Sequence, residues 1–293
     1  MLVGQRFSLS AADVKAFLAR HGLIANRNLG QNFLVDENLA ARLVDLSGVE
    51  PGDRVIEIGT GLGVLTRALA SRAQSVVTIE VDAGIVRALR ADAVLPANVE
   101  LIHADALEFD LAECARECAG RVRLVANLPY SVSAPLLRRC LDLRDQLADW
   151  SVMLQTEVAK RLLAQPGTRD YGSLSVLHAL TVTLSKSMQL SSNCFYPVPK
   201  VESSFVRVTP LEASAMEGGE LLGVERFIRA AFAKRRKTLV NSLRAGAFGT
   251  ECSADVLRAA LSRCGIEPLA RAESLAPEQL LALARELGED PAP

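Results

Sequence analysis

Short β-rich runs and helical patterns alternate through the N-terminal two-thirds of the chain, and that alternation restricts the fold more than any other feature. Arg54-Val55-Ile56-Glu57-Ile58 is β-rich and ends in glycines, after which Leu62 to Ala70 carries a helical pattern. Ser75-Val76-Val77-Thr78-Ile79 is a second strand, followed by helical Ala83 to Ala91. Val99 to Ile102, Val122 to Ala126 and Trp150 to Leu154 are the third, fourth and fifth. Parallel neighbours can be joined only by a crossover, so this order predicts βαβ units and a parallel sheet covered by helices on both faces. Ser203 to Val208 gives a further strand, expected to pair antiparallel as an added edge.

Beyond Val208 the character changes. Thr209 to Gly223 (TPLEASAMEGGELLG) holds Pro210 and the pair Gly218-Gly219 and reads as a linker. The rest of the chain is expected to be helical: a basic segment, Ser253 to Cys264 with a serine N-cap and Gly265 at its stop, and Pro277 to Leu287. The predicted organisation is therefore a Rossmann-like α/β domain over 1–210, whose residues 1–30 form an N-terminal segment. A linker over 211–223 leads to a small all-helical domain over 224–293.

Composition narrows the partners. No apolar run approaches the roughly 18–20 residues that span a bilayer, and Met1 to Arg20 has no continuous apolar core of a secretory signal, so a soluble cytoplasmic protein is expected. The six cysteines form no CxxC pair and the three histidines are far apart, so no metal site is expected. Net charge is −1, yet Glu225 to Arg244 carries seven Lys/Arg against one Glu, a local net of 7 − 1 = +6. Such a chain binds anions at one place rather than everywhere.

The sequence Glu57-Ile58-Gly59-Thr60-Gly61-Leu62-Gly63 lies between the first strand and its helix. Glycines there permit a tight turn and let a ligand approach the backbone, with Gly59 and Gly61 the candidate contacts. Glu80 ends the second strand, 80 − 59 = 21 residues on. A carboxylate there can accept from both ribose hydroxyls of a bound nucleoside. Asp105 follows the third strand, where it could accept from the exocyclic amine of an adenine. Each acid alone is a common helix cap. At successive strand ends they outline one nucleoside-shaped site, open so far to NAD or S-adenosylmethionine.

The fourth strand end separates those two. Hydride transfer makes no demand for Asn127-Leu128-Pro129-Tyr130, whereas methyl transfer to an exocyclic amine does. The amino nitrogen of adenine has its lone pair delocalised into the ring and is a poor nucleophile. Binding both of its N–H bonds, through the side-chain oxygen of Asn127 and the backbone carbonyl of Leu128, pulls it toward tetrahedral geometry. Pro129 fixes the turn that aims the carbonyl, and Tyr130 offers a face on which the base can stack. Positioning and fixed dipoles then suffice, with no metal or strong base.

On these residues the chain resembles the ribosomal RNA adenine dimethyltransferases, specifically the small-subunit, kasugamycin-resistance type. Asn28-Leu29-Gly30-Gln31-Asn32-Phe33-Leu34 looks like the family's N-terminal signature, in which Asn32 and Leu34 fall on cofactor positions. Gly59, Glu80, Asp105 and Asn127 match the others. Leu154 to Ala159 and Tyr171 to Ser175 match two further blocks. Phe195-Tyr196-Pro197-Val198-Pro199-Lys200-Val201-Glu202-Ser203 matches another, whose leading Phe195 holds the family's second aromatic wall. Arg235-Arg236-Lys237-Thr238 with Asn241-Ser242-Leu243 resembles the start of its C-terminal domain. Thr60, Ser131 and Val81 depart from the commoner proline, asparagine and leucine without removing a group the chemistry uses.

The resemblance implies transfer of two methyl groups, one from each of two S-adenosylmethionine molecules, to each of two adjacent adenosines. These lie in the 3′-terminal hairpin loop of small-subunit rRNA, on an immature small ribosomal subunit late in its biogenesis. Loop bases splay out at modest cost, which suits a flipped-base pocket. Lys200, Arg207, Lys234, Arg235, Arg236 and Lys237 are the cations expected to meet phosphates, and a monomer is expected. Three rivals stand beside this reading. An erythromycin-resistance enzyme would act on one adenosine of large-subunit rRNA, but Leu128, Pro135 and the long C-terminal region favour the small-subunit branch. A non-catalytic assembly factor would be expected to have eroded Gly59, Glu80 or Asn127. An oxidoreductase lacks any His or Lys placed for hydride chemistry.

Overall fold

The computed structural model describes residues 10–26, 29–118, 122–128, 132–212, 216, 220–245 and 252–288, with the backbone alone at 186 and 187. Its elements run α1 (Ala11–Arg20), β1 (Phe33–Leu34), α2 (Glu37–Ser47), β2 (Arg54–Ile58), α3 (Val64–Ala70), β3 (Ser75–Glu80), α4 (Ala83–Asp92), β4 (Val99–His103), α5 (Leu111–Glu117), β5 (Val122–Asn127), α6 (Ser133–Asp142) and β6 (Leu147–Gln155). There follow α7 (Thr156–Leu163), α8 (Ser173–Thr181), β7 (Val182–Leu190), β8 (Phe195–Tyr196), β9 (Ser203–Pro210), α9 (Leu221–Phe232), α10 (Leu239–Arg244), α11 (Ala254–Arg263) and α12 (Pro277–Gly288).

The main sheet has the order β4-β3-β2-β5-β6-β9-β7. From β2 the chain steps outward to β3 and β4, then returns to lay β5 on the other side of β2, and all four are parallel. The reversal at β2 and β5 opens a crevice beyond their carboxyl ends, the place where such sheets bind ligands. Register puts those ends level: Ile58 faces Ile79 and Ala126, Glu80 faces His103, and Asn127 faces Met153.

Alternation along the strands decides which side each residue supports. Val55, Val76, Val125 and Phe205 join Leu43 of α2 and Leu69 of α3 in one apolar cluster. A second cluster gathers Val14 and Leu18 of α1, Phe33, and Ile85 and Leu89 of α4. Burying one fully enclosed Leu or Val contributes roughly 1.5–3 kcal/mol, so these faces dominate the fold's stability. At the opposite end of the strands from the crevice, the buried Asp149 accepts from Arg123 and from Nε and Nη2 of Arg207, and Arg123 also reaches Asp53.

The structure corrects several sequence expectations. The antiparallel strand β9 does pair with β6, but it is not an edge, because β7 lies outside it. The stretch forming β7, Val182 to Leu190, interleaves Ser, Lys and Gln with its apolar residues and drew no strand assignment. The basic segment is not one helix: α9 stops at Phe232 and α10 starts at Leu239, with Lys234 to Lys237 in the turn between. The contacts divide after residue 210, where the boundary was drawn, but they also group residues 157–183 with the helical residues. One compact unit comprises residues 1–156 and 184–210, the other 157–183 and 211–293. Helix α9 begins at Leu221, inside the expected linker, of which residues 213–215 and 217–219 fall outside the described residues.

The second unit owes its coherence to helix packing. Phe227 and Ile228 of α9, Leu239 and Leu243 of α10, Leu261 of α11 and Leu280 of α12 are all buried. The hydroxyl of Tyr171 donates to the carbonyl of Leu275 (2.9 Å), and its ring meets Phe232 edge-on. Ser242 braces the basic turn by accepting from the Lys234 amide (3.1 Å) and donating to the Ala230 carbonyl (2.9 Å).

Candidate active site and its family

The crevice is a cleft within the first unit, lined from four directions: the 29–34 segment, the glycine turn, the acids after β3 and β4, and the end of β5 with Phe195. Gly59 has φ 88 and Gly61 φ 53, a region where a side chain is strained. A Cβ on Gly59 would also sit 3.3 Å from the backbone oxygen of Asn127, so glycine lets the β2 and β5 ends close on each other. Thr60, at the position where proline is common, is buried and its hydroxyl meets that of Thr78 (2.7 Å). Thr78 and Thr66 both donate to Oε2 of Glu57, which is fully buried. Burial pushes the Glu57 carboxyl up to about 8, against the two hydroxyl hydrogen bonds that favour its charge.

Glu80 is held on both oxygens: Oε2 accepts from the Gly61 amide (2.9 Å) and Oε1 from the Asp82 amide (3.0 Å). Burial raises its pKa while those amides oppose the rise. The carboxylate is thus fixed at the cleft wall before any ligand arrives, which is the preorganisation a ribose-binding acid needs. Asp105 is exposed and anchored by one oxygen, with Oδ1 accepting from the Leu107 amide (2.8 Å).

The amide of Asn127 has a defined orientation. Its Nδ2 donates to the backbone carbonyl of Asn32 (3.3 Å). A carbonyl can only accept, so the nitrogen faces Asn32 and Oδ1 is presented as an acceptor. Asn32 is itself tied by Nδ2 to the Gly30 carbonyl (3.0 Å). The antiparallel pair of β1 and β8 sets Leu34 opposite Phe195 and Phe33 opposite Tyr196, which ties the N-terminal signature to the segment that carries Phe195. Phe195 is 3% exposed, packed with Leu34, Met153 and Phe205 while lining the cleft.

The structure therefore gathers Asn32, Leu34, Gly59, Gly61, Glu80, Asp105, Asn127, Leu128 and Phe195 round one cleft. Pro129 and Tyr130 lie outside the described residues. Among the expected phosphate contacts, Lys200 is exposed, and Lys234, Arg236 and Lys237 are exposed on the turn of the helical unit. Arg235 is engaged by Glu273 (3.2 Å) and the Arg169 carbonyl. Arg207 departs from expectation: its guanidinium is bound to buried Asp149, and a Cβ on Gly48 would collide with it, so it is a strut of the sheet. Sequence reasoning assigned no role to Gln31, which lines the cleft and donates to Asp82, 82 − 31 = 51 residues away. No spacing rule reaches across that distance.

An antiparallel β9 lodged between β6 and β7, on a sheet whose switch point opens such a cleft, is the fold of a class I, S-adenosylmethionine-dependent methyltransferase. Residues 22–289 match the family model for ribosomal RNA adenine dimethylase. The chain belongs to that family and is an rRNA adenine dimethyltransferase. A ribosomal RNA small subunit methyltransferase A from Geobacter metallireducens is 42% identical to it over 265 residues, 90% of this chain and 96% of the relative. Among solved structures, a dimethyladenosine transferase from Plasmodium falciparum shares the fold, with TM-score 0.73 at 22% identity over 86% of this chain and 96% of its own. The 23S rRNA methyltransferase ErmE gives TM-score 0.64 at 26% identity, over 88% and 100%.

Proposed function

We propose that this enzyme dimethylates two adjacent adenosines in the 3′-terminal loop of small-subunit rRNA, acting as a cytoplasmic monomer on an immature small subunit. The identity to small-subunit relatives over nearly their whole length supports the choice of branch. The observation that carries the chemistry is the fixed orientation of Asn127, which turns an acceptor rather than a donor to the incoming base.

The residues present suit S-adenosylmethionine: two acids for ribose and adenine, glycine backbone in close reach, and apolar walls from Ile79, Leu107 and Met153. In this reading Asn32, Leu34, Gly59, Gly61, Glu80 and Asp105 hold it, with Asn127 between cofactor and target. When bound, it supplies an electrophilic methyl group on a cationic sulfur. Asn127 Oδ1 and the Leu128 carbonyl would accept the two N–H bonds of the target amine before the first transfer, and one of them the single remaining N–H before the second; each transfer releases one proton from the nitrogen to solvent. Tyr130 and Phe195 hold the base plane, and Pro129 keeps the carbonyl aimed. Lys200, Lys234, Arg236 and Lys237 supply phosphate contacts, which position the RNA without specifying it. Among the described residues no helix is long and apolar enough to cross a membrane.

The test is methyl incorporation from labelled S-adenosylmethionine into unmethylated small subunits, protein-free large-subunit rRNA and an unrelated RNA, with the modified base identified by mass. Dimethyladenosine confined to the small subunits is the expected result. Label in the large-subunit RNA would transfer the enzyme to the resistance branch. Binding to small subunits with no label anywhere would make it an assembly factor.

A further inference from the structure

We propose that Gln31 is a positioning residue that latches the segment 29–34 against the cofactor cleft by bonding to Asp82, and that this latch sets cofactor affinity. The inference rests on the cofactor reading above and concerns a residue that touches the cleft without being one of its expected ligands.

Both ends of the Gln31 amide are committed. Oε1 accepts from the backbone amide of Asn26 (2.8 Å), and Nε2 donates to Oδ2 of Asp82 (2.8 Å). Asp82 is committed too. It is the N-cap of α4, where Oδ1 accepts from the amides of Gly84 (2.8 Å) and Ile85 (3.2 Å), and its own amide donates to Glu80 Oε1. The result is a continuous run of hydrogen bonds from Asn26 through Gln31, Asp82 and Glu80 to Gly61. It joins the latched segment to the ribose-binding acid and the glycine turn. A second contact brings the same stretch of chain onto α4: a Cβ built on Gly84 would lie 2.6 Å from a Leu23 methyl, so the helix start is shaped to receive it. The latched segment carries Asn32, whose carbonyl orients Asn127. Releasing the latch therefore loosens cofactor contacts and the catalytic amide together.

Because each group is pinned by backbone amides, neither can flip to repair a changed partner. Gln31→Glu sets two carboxylates against each other. Asp82→Asn keeps the Oδ1 cap but turns a donor toward the Gln31 donor. Combining them restores the bond with donor and acceptor exchanged, the new side-chain amide at position 82 donating to the new carboxylate at position 31. A purely structural role would lower stability without this pattern in affinity.

The experiment measures S-adenosylmethionine dissociation constants by titration calorimetry for the full-length wild type, the two single variants and the double variant. Hydrogen exchange of the amides in 29–34 and the melting temperature are followed alongside. A charge-assisted bond of this kind corresponds to about ten-fold or more in affinity. The expected result is that loss in each single variant, faster exchange in 29–34, and recovery of both to within about three-fold in Gln31→Glu/Asp82→Asn. Single variants that bind like wild type, or a double variant as weak as its parents, would overturn the latch. A wild type that takes up no S-adenosylmethionine would overturn the cofactor reading and the affinity role with it.

Discussion

Glu57 offers the sharpest test of how the glycine turn is held. Its carboxyl is fully buried, Oε2 receives the Thr66 and Thr78 hydroxyls at 2.6 and 2.7 Å, and Oε1 has no partner among the described residues. Burial raises its pKa from 4.5 to about 8, so the folded protein keeps a proton there that the unfolded chain gives up. Between those two values the native state binds more protons than the unfolded state, and stability must fall as pH rises. At about 1.4 kcal/mol per unit, the full interval corresponds to a ceiling of about 5 kcal/mol, reduced by local relaxation to a few. Glu57→Gln keeps an acceptor for both threonines and is neutral throughout. At pH 5 the variant and wild type should therefore unfold alike. By pH 8 to 9 the variant should be more stable by roughly 2–4 kcal/mol on the same pKa argument. Urea unfolding at intervals from pH 5 to 9, with matched ionic strength, reads this difference directly. A difference that stays flat with pH, or a variant that loses stability as pH rises, would refute the argument.

On the proposed mechanism Asn127→Ala removes the acceptor for the target amine, and turnover should fall about 10²–10³-fold, as for loss of a fixed dipole at a reacting centre. The S-adenosylmethionine dissociation constant should rise far less, and single-turnover kinetics beside calorimetry separate the two effects. Asp149→Ala leaves two guanidinium groups facing a buried gap and should cost about 3–5 kcal/mol in urea unfolding. Arg207→Ala, which strips the same carboxylate of two bonds, should likewise lower stability and leave the salt dependence of RNA binding unchanged. Lys234→Ala and Lys237→Ala should do the reverse, each lowering the salt slope by about one.

What the sequence disclosed depended on whether the signal was local. The five parallel strands were legible because each is a compact β-rich run, and the first four are followed by a glycine, an acid or an asparagine. Those terminators turned out to be the cleft itself. Glu80, Asp105 and Asn127 could be nominated because strand ends on one edge of a parallel sheet must converge. β7 was not legible, since its polar positions match neither a buried run nor a clean alternation. The two-residue β1 and β8 have too little sequence to carry a pattern, yet their pairing brings Leu34 to Phe195 across more than half the chain. Arg207 read as an exposed cation because its partner Asp149 is distant in sequence, and only the sheet register sets them side by side. The contacts group 157–183 with the helical unit, whereas a domain drawn continuously over 1–210 had included them.

The cleft's polar groups are arranged before any ligand is present, and this has a consequence for selectivity. Glu80 has its two oxygens fixed by amides, Asp105 one, and Asn127 is turned by Asn32. Reorganisation during reaction would then be small, and discrimination would come from the match of fixed acceptors to N–H donors. A base with a carbonyl in place of the exocyclic amine sets acceptor against Asn127 Oδ1 and leaves a buried polar group unpaired. Such a mismatch costs about 1–3 kcal/mol, comparable to the selectivity a single contact supplies. In the proposed mechanism, preference for adenine over hypoxanthine would rest on the Asn127 amide and the Leu128 carbonyl, and that amide is aimed by a backbone carbonyl ninety-five residues away. Selectivity at the base accordingly depends on how firmly the N-terminal segment is seated, and a loosened segment should blur it before it abolishes binding.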